Sequence, residues 1–335
     1  MDFRQQALVF IVFTPVIWLS LYIYVSTDYF PIKMDKETFT SQVEPTMLQI
    51  SETIWVYSAF LENTIYCDNV TVVTVLSVAD EAIEHNLIKC RIDLANGESV
   101  AAVVAVTKVE DKYRLKYDLW KVFCKAGALL GTRPKQVTIF SNLSEPVTIP
   151  VAMKQEYVGL VGCCLSGPLW RQGVGDKGVM DLISWVEFQR MLGIKKILVY
   201  AMMQGKEKKE ILDYYMREGV VDVTDWNFPI NNRDFRYFGQ NLLINDCLYR
   251  SRDLFNYTVF IDLDETIVPV LHDNLTDLLQ NLTENRVSAY GFRNRFHHTH
   301  WRLPQSSLKS LYPSLSRIPA IQQALLTHKV RILHH

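Results

Sequence analysis

The stretch Tyr257-Thr-Val-Phe-Ile-Asp262-Leu-Asp264-Glu265-Thr266-Ile-Val-Pro269 decides how this chain is read. An apolar, β-branched run ends in three carboxylates and a proline, the pattern of a buried parallel strand. Asp262 and Asp264 stand two residues apart, so on an extended chain they share one side. Open α/β sheets bind ligands at the carboxyl edge of their strands. Hard cations such as Mg²⁺ or Mn²⁺ prefer carboxylate oxygens and often keep a phosphate as co-ligand. A solvated acidic turn is the plainer alternative, but such turns rarely follow so apolar a run. The stretch is therefore read as a metal–phosphate site.

Upstream, strands alternate with helices. Residues 157–164 read as a buried strand, followed by a loop holding Gly167, Gly173, Gly175 and Gly178. An amphipathic helix over 179–192 then ends at Gly193, a left-handed cap position. Residues 194–200 form the next strand, 207–218 a helix stopped by Gly219, 220–223 a short strand and 238–255 a third helix. This alternation implies right-handed crossovers and a mainly parallel sheet. The Gly-rich loop has neither Walker nor dinucleotide spacing, so it reads equally as a surface turn or a ligand loop.

Residues 49–150 change rhythm. Runs such as Val70-Thr-Val-Val-Thr-Val-Leu and Ser99-Val-Ala-Ala-Val-Val-Ala-Val-Thr are strand-like, and Asn96-Gly97 is a hairpin turn. This part offers no catalytic constellation and is read as a β-rich accessory region. Residues 26–48 are polar and read as a stem. Residues 7–25 carry no charge and are read as a transmembrane signal anchor behind a cytosolic tail of residues 1–6. A cleaved signal peptide would have a shorter apolar core and a small-residue cleavage site, which does not follow.

Flanking charges do not orient that anchor; sequons do. Asn69, Asn142, Asn256, Asn274 and Asn281 all fit Asn-x-Ser/Thr. Asn256 abuts the buried strand, leaving Asn69, Asn142, Asn274 and Asn281 as glycosylation candidates. Asn274 and Asn281 lie seven apart on one face of an expected helix striped by Leu271, Leu275, Leu278, Leu279 and Leu282. The expectation is a single-pass type II protein of the Golgi or endoplasmic reticulum membrane, body in the lumen. Six cysteines suit disulfides there, with the pairing left open. A net charge of −1 removes any overall electrostatic case for nucleic acid.

The segments Asp181-Leu-Ile-Ser-Trp-Val-Glu187, Leu192-Gly-Ile, Leu198-Val-Tyr, Tyr214-Tyr-Met-Arg-Glu-Gly219, Gln240 with Asn245-Asp-Cys-Leu-Tyr-Arg250, and Phe260-Ile-Asp-Leu-Asp-Glu265 occur in that order. Their order and spacing resemble glycosyltransferase family 92 over residues 156–270. The resemblance implies a GT-A-like, Rossmann-type α/β domain over residues 151–335. It further implies transfer of a hexose, galactose expected, from a UDP-sugar to a glycan on glycoprotein or glycolipid, with inversion and a divalent cation, Mn²⁺ expected. By the same resemblance Asp264 touches the metal and Asp262 contacts ribose or a metal-bound water. Glu265 supports them. Asp246 orients the donor or, more plainly, forms an i,i+4 pair with Arg250.

Two other classes compete. Asp262-Leu-Asp-Glu-Thr266 also resembles the first motif of haloacid-dehalogenase-type phosphatases, but no Asp or Glu follows Glu284 and three strand–helix units precede the motif. The other class is a catalytically impaired glycan-binding or scaffold relative. Residues 285–335 hold no acid, eight Lys/Arg and six of the eight histidines. Inverting transfer normally needs a carboxylate base, so the domain is read as shortened at its C-terminus. The base candidates are Glu265, Glu284 and Asp273, or His297, His298 and His300; Arg293 and Arg295 could face donor phosphates.

Overall fold

The computed structural model describes residues 8–12, 46–62, 70–80, 88–109, 115–129, 132–141, 144–169, 179–202, 206–231, 233–269, 271–282, 288–296 and 330–334. In chain order the first strands are β1 (Leu8–Val12), β2 (Leu48–Gln49), β3 (Ile54–Leu61), β4 (Val70–Ala79) and β5 (Ile88–Leu94). Next come β6 (Ser99–Val109), β7 (Asp118–Gly127), β8 (Pro134–Ser141), β9 (Ser144–Ala152) and β10 (Gly159–Leu165). Helix α1 (Val179–Met191), β11 (Ile197–Ala201), α2 (Lys206–Arg217), β12 (Val221–Asp225), α3 (Gln240–Ser251) and β13 (Phe255–Ile261) follow. The last elements are α4 (Leu275–Asn281), β14 (Arg293–Phe296) and β15 (Val330–His334).

Strands β3-β4-β7-β6-β5-β8-β9 join in that order, and β9 returns to pair with β3. The result is a closed seven-stranded barrel, antiparallel everywhere except at the β9–β3 seam. Closure removes the exposed edges that an open sheet would present. Val73, Val75, Ile92, Val122, Val137 and Ile139 are buried in the barrel's own core, so side chains rather than a channel fill the barrel. Cys90 and Cys124 form a disulfide between β5 and β7 in the same core. Asn96-Gly97 makes the β5–β6 turn, with Gly97 at φ +90° and its amide donating to Leu94 O at 3.1 Å.

Strands β3 and β4 are buried on both faces over most of their length, and β7 is so at Leu119 and Trp120. In β4, Val73 and Val75 point into the barrel while Leu76 and Val78 point out into a second core. A bulge between Val56 and Ser58 shifts the parity of β3, so that Val56 and Ala59 face inward and Tyr57 and Phe60 outward. The outward residues pack against α3 and one face of a four-stranded parallel sheet, in the order β12-β11-β10-β13. A third core on the sheet's other face gathers Val161, Cys163 and Leu165 of β10 with residues of α1, α2 and α4. Alternation along β10 thus sends Cys163 to one side and Cys164 to the other, where Cys164 is bonded to Cys247 of α3. Gly162 also faces α3's side, and an added Cβ would overlap the Phe255 ring.

Two glycines end helices as their positions require. Gly193 (φ +91°) and Gly219 (φ +70°) adopt left-handed backbone, and the paired amides Gly193–Ile194 and Gly219–Val220 satisfy the last carbonyls of α1 and α2.

Two expectations are corrected. As a description of the chain, a mainly parallel, Rossmann-type GT-A-like sheet behind a transmembrane helix does not hold. Among the described residues the largest sheet is the closed barrel, strands greatly outnumber helices, and parallel pairing is the minority. The period-2 runs before Pro150 carry more of the architecture than an accessory layer would. Among the described residues no helix is long and apolar enough to cross a membrane. Within the proposed anchor, Leu8–Val12 is a strand paired with Val330–His334, which is paired in turn with Arg293–Phe296. The expected type II Golgi or endoplasmic reticulum membrane topology loses its helix there. An uncharged stretch rich in β-branched and aromatic residues suits a strand as well as a helix. Residues 13–25, and the proposed stem up to residue 45, lie outside the described residues.

Candidate functional site

In the parallel sheet the chain runs outward from β10 to β11 and β12, then returns to place β13 on β10's other side. The strand order therefore reverses between β10 and β13, and ligands of open α/β sheets bind outside the carboxyl ends at such a reversal. Ser166 follows β10 there, and Asp262 follows β13.

Past Ile261 the chain leaves the sheet in a tight turn. Glu265 N donates to Asp262 O at 2.9 Å, and Asp262 N donates to Glu265 Oε2 at 3.1 Å. Leu263 is buried in the helix-side core, while Asp262 and Asp264 on either side of it are only partly buried. The two acids are thus turn residues that flank a buried leucine. Trp185 of α1 donates its indole N–H to Glu265 O at 2.8 Å, and Gln189 donates to Thr266 Oγ1 at 2.9 Å. Helix α1 therefore clamps the acidic turn from behind.

Ser166 completes the arrangement. Its amide donates to Ile261 O at 2.9 Å, and its hydroxyl donates to Asp262 Oδ1 at 2.5 Å, within the charge-assisted range. Gln240, the first residue of α3, donates its side-chain amide to Ser166 O at 2.8 Å. Ahead of it, Tyr237, Phe238 and Gly239 all have positive φ, at 44°, 54° and 86°. Trp226 holds this turn by donating to Phe238 O at 2.7 Å.

Asp246 lies elsewhere. It is fully buried in α3, accepting at Oδ2 from Tyr200 Oη and Arg250 Nε, both at 2.6 Å. Burial, with the Asp246 carboxylate beside it, holds the Tyr200 phenol well above its usual range, so it donates as a neutral hydroxyl. Burial alone would lower the Arg250 pKa, but the Asp246 charge raises it. Glu265 is brought beside Asp262 as a brace of the turn. Asp273 is exposed just before α4. Glu284, His297, His298 and His300 lie outside the described residues, as do Asn69 and Asn142. Arg293 and Arg295 fall on β14. Asn274 caps α4, accepting from Asp277 N at 2.9 Å and donating to Asp277 Oδ2 at 2.9 Å; Asn281 is exposed at that helix's end.

A divalent cation would find hard carboxylate oxygens in Asp262 and Asp264. Among the described residues no cluster of three or more His, Cys, Asp or Glu side chains is placed to hold a metal. Two carboxylates leave most of a six-oxygen shell to water and phosphate, which is how Mg²⁺-like ions are commonly held. The residues present fit that role. Sequence reasoning missed Ser166, Trp185 and Gln189 as the residues that fix the acidic turn. The available signal was positional: Ser166 directly follows one apolar strand as Asp262 follows another.

Residues 173–330 match the family model of glycosyltransferase family 92. The chain is 24% identical over 181 residues to the Caenorhabditis elegans β-1,4-galactosyltransferase galt-1, covering 50% of this chain and 42% of that protein. It is 33% identical over 92 residues to a second C. elegans glycosyltransferase family 92 protein, covering 24% of this chain and 18% of the relative. The chain thus spans less than half the length of these curated relatives.

Proposed function

We propose that this protein is a metal-dependent glycosyltransferase that moves a hexose, galactose in the first instance, from a UDP-sugar to a glycan with inversion. The observation that carries the reading is the Asp262–Asp264 turn at the β10/β13 reversal, inside the segment that matches the transferase family. Galactose is suggested by the name of the galt-1 relative. Asp264 and Asp262 would hold Mn²⁺ or Mg²⁺. When bound, such an ion stabilises the negative charge that develops on the departing diphosphate. The chain's own contribution is placement: Leu263 pins the turn to the core, α1 clamps it from behind and Ser166 orients Asp262.

Titrating UDP and UDP-galactose into the full chain, with and without Mn²⁺, tests the reading. Binding should require the cation. Asp264→Asn should weaken it by more than about a hundredfold, a larger loss than removal of a supporting residue causes, while the melting temperature stays near wild type. Equal UDP binding by the variant and wild type would refute the assignment of the site.

A further inference from the structure

We propose that Ser166 is the positioning residue of Asp262, and that the left-handed turn at Tyr237–Gly239 exists to hold Ser166 in place through Gln240. This rests on the reading of Asp262 and Asp264 as the cation-binding pair.

A carboxylate on a turn has two side-chain torsions free to wander. The Ser166 hydroxyl bond at 2.5 Å fixes them, because it commits Oδ1 inward. With Oδ1 committed to Ser166, Oδ2 is the oxygen this arrangement offers to a ligand. Ser166 can do this only if its own backbone is fixed, and two contacts fix it. Its N–H is tied to Ile261 O at 2.9 Å, and its C=O accepts from Gln240 at 2.8 Å. With 9% exposure, Ser166 is nearly closed to solvent.

Gln240 reaches that carbonyl because α3 starts where it does. Two consecutive non-glycine residues with positive φ are costly and persist only where their surroundings over-determine them. Here the surroundings do. Trp226 bonds Phe238 O, the Trp226, Phe228 and Phe235 rings stack in series at 5.6 and 5.5 Å, and a Cβ on Gly239 would press on Phe228 at 2.9 Å. The turn thus aims α3's first residue at the strand end. Four steps run from the aromatic stack through Gln240 and Ser166 to the carboxylate that faces the ligand.

The test uses the full chain with Mn²⁺ as probe, reading free Mn²⁺ by electron paramagnetic resonance, UDP affinity by calorimetry and melting temperature. Ser166→Ala should weaken Mn²⁺ binding about 10- to 100-fold, as loss of a residue that orients a metal ligand does. Ser166→Thr, which keeps the hydroxyl, should restore it. If Ser166→Ala does not fold, Gln240→Ala carries the test and should weaken Mn²⁺ about fivefold, the worth of one ordinary hydrogen bond. Should wild type bind Mn²⁺ and the readable variant bind it as tightly, this inference falls and the functional reading stands. Failure of wild type to bind either Mn²⁺ or UDP would overturn both.

Discussion

Replacing Asp246 by asparagine separates a structural role from a ligand-binding one. The Asp246 side chain is fully buried, and its partner Arg250 is only 14% exposed. The asparagine is isosteric but leaves the Arg250 charge uncompensated, and breaking a buried pair in this way costs roughly 3–5 kcal/mol. At roughly 2–4 °C per kcal/mol for a unit of 150–250 residues, the melting temperature should fall by about 6–20 °C. The loss should be recoverable without any charge. In Asp246→Leu/Arg250→Met/Tyr200→Phe the pair is replaced by apolar groups. The tyrosine change removes a hydroxyl that would otherwise be stranded at a cost of about 1–3 kcal/mol. The methionine can still lie against the Phe60 ring, over which Arg250 sits at 5.7 Å. Melting followed by circular dichroism should place the triple variant close to wild type, and calorimetry should find its Mn²⁺-dependent UDP affinity unchanged. A triple variant that melts like wild type but no longer binds UDP would refute the structural assignment. A single variant that melts within a degree or two of wild type would refute the energetic argument.

Gly162→Ala should destabilise by roughly 1–3 kcal/mol because its methyl overpacks the Phe255 ring; Phe255→Leu in the same chain should recover most of the loss in urea melts, and simple additivity would contradict the steric cause. Burial would raise the Asp93 pKa, but hydrogen bonds from Ser99, Gln136 and Arg91 outweigh it and bring the carboxyl down to about 2 from 3.8. Its contribution is then present above pH 3.8 and is lost as pH falls toward 2. Asp93→Asn should accordingly flatten acid unfolding across that window, and a wild-type-like acid limb in this variant would exclude Asp93 as a contributor.

The local elements of the second half were legible because each carries its own signal. The apolar run before Asp262 is β13, and Gly193 and Gly219 stop helices with the backbone their positions require. The Val70 and Ser99 runs and the Asn96-Gly97 turn are strands and a hairpin for the same local reasons. Closure was not legible. It depends on Ala59 and Phe60 of β3 pairing with Val151 and Ala152 of β9, some ninety residues later, and no period in either strand announces a distant partner. Double-sided burial of β4 was equally hidden, since a continuous apolar strand fits a parallel sheet as well as a barrel wall packed on a neighbour. The uncharged N-terminal run failed for a related reason: hydropathy alone cannot tell a spanning helix from a strand.

At the site, sequence supplied the acids and the structure supplied what aims them. Asp262 and Asp264 stand out because charge after an apolar run is locally conspicuous. Ser166 does not, because a serine after a strand is ordinary until the strand beside it is known. The expected strand over 157–164 also stopped one residue short of Leu165, which hid the fact that Ser166 and Asp262 are the first residues beyond two neighbouring strands. Asp246 shows the converse. In sequence it is an acid near the motif, equally suited to a ligand or to Arg250. Packing against the barrel face decides between these, because Tyr57, Phe60 and Tyr200 belong to the core that encloses α3 there. The barrel thus acts on the site from behind: it buries the far face of the sheet and makes Asp246 a structural charge, while the Asp262–Asp264 turn stays at the carboxyl edge of the parallel sheet.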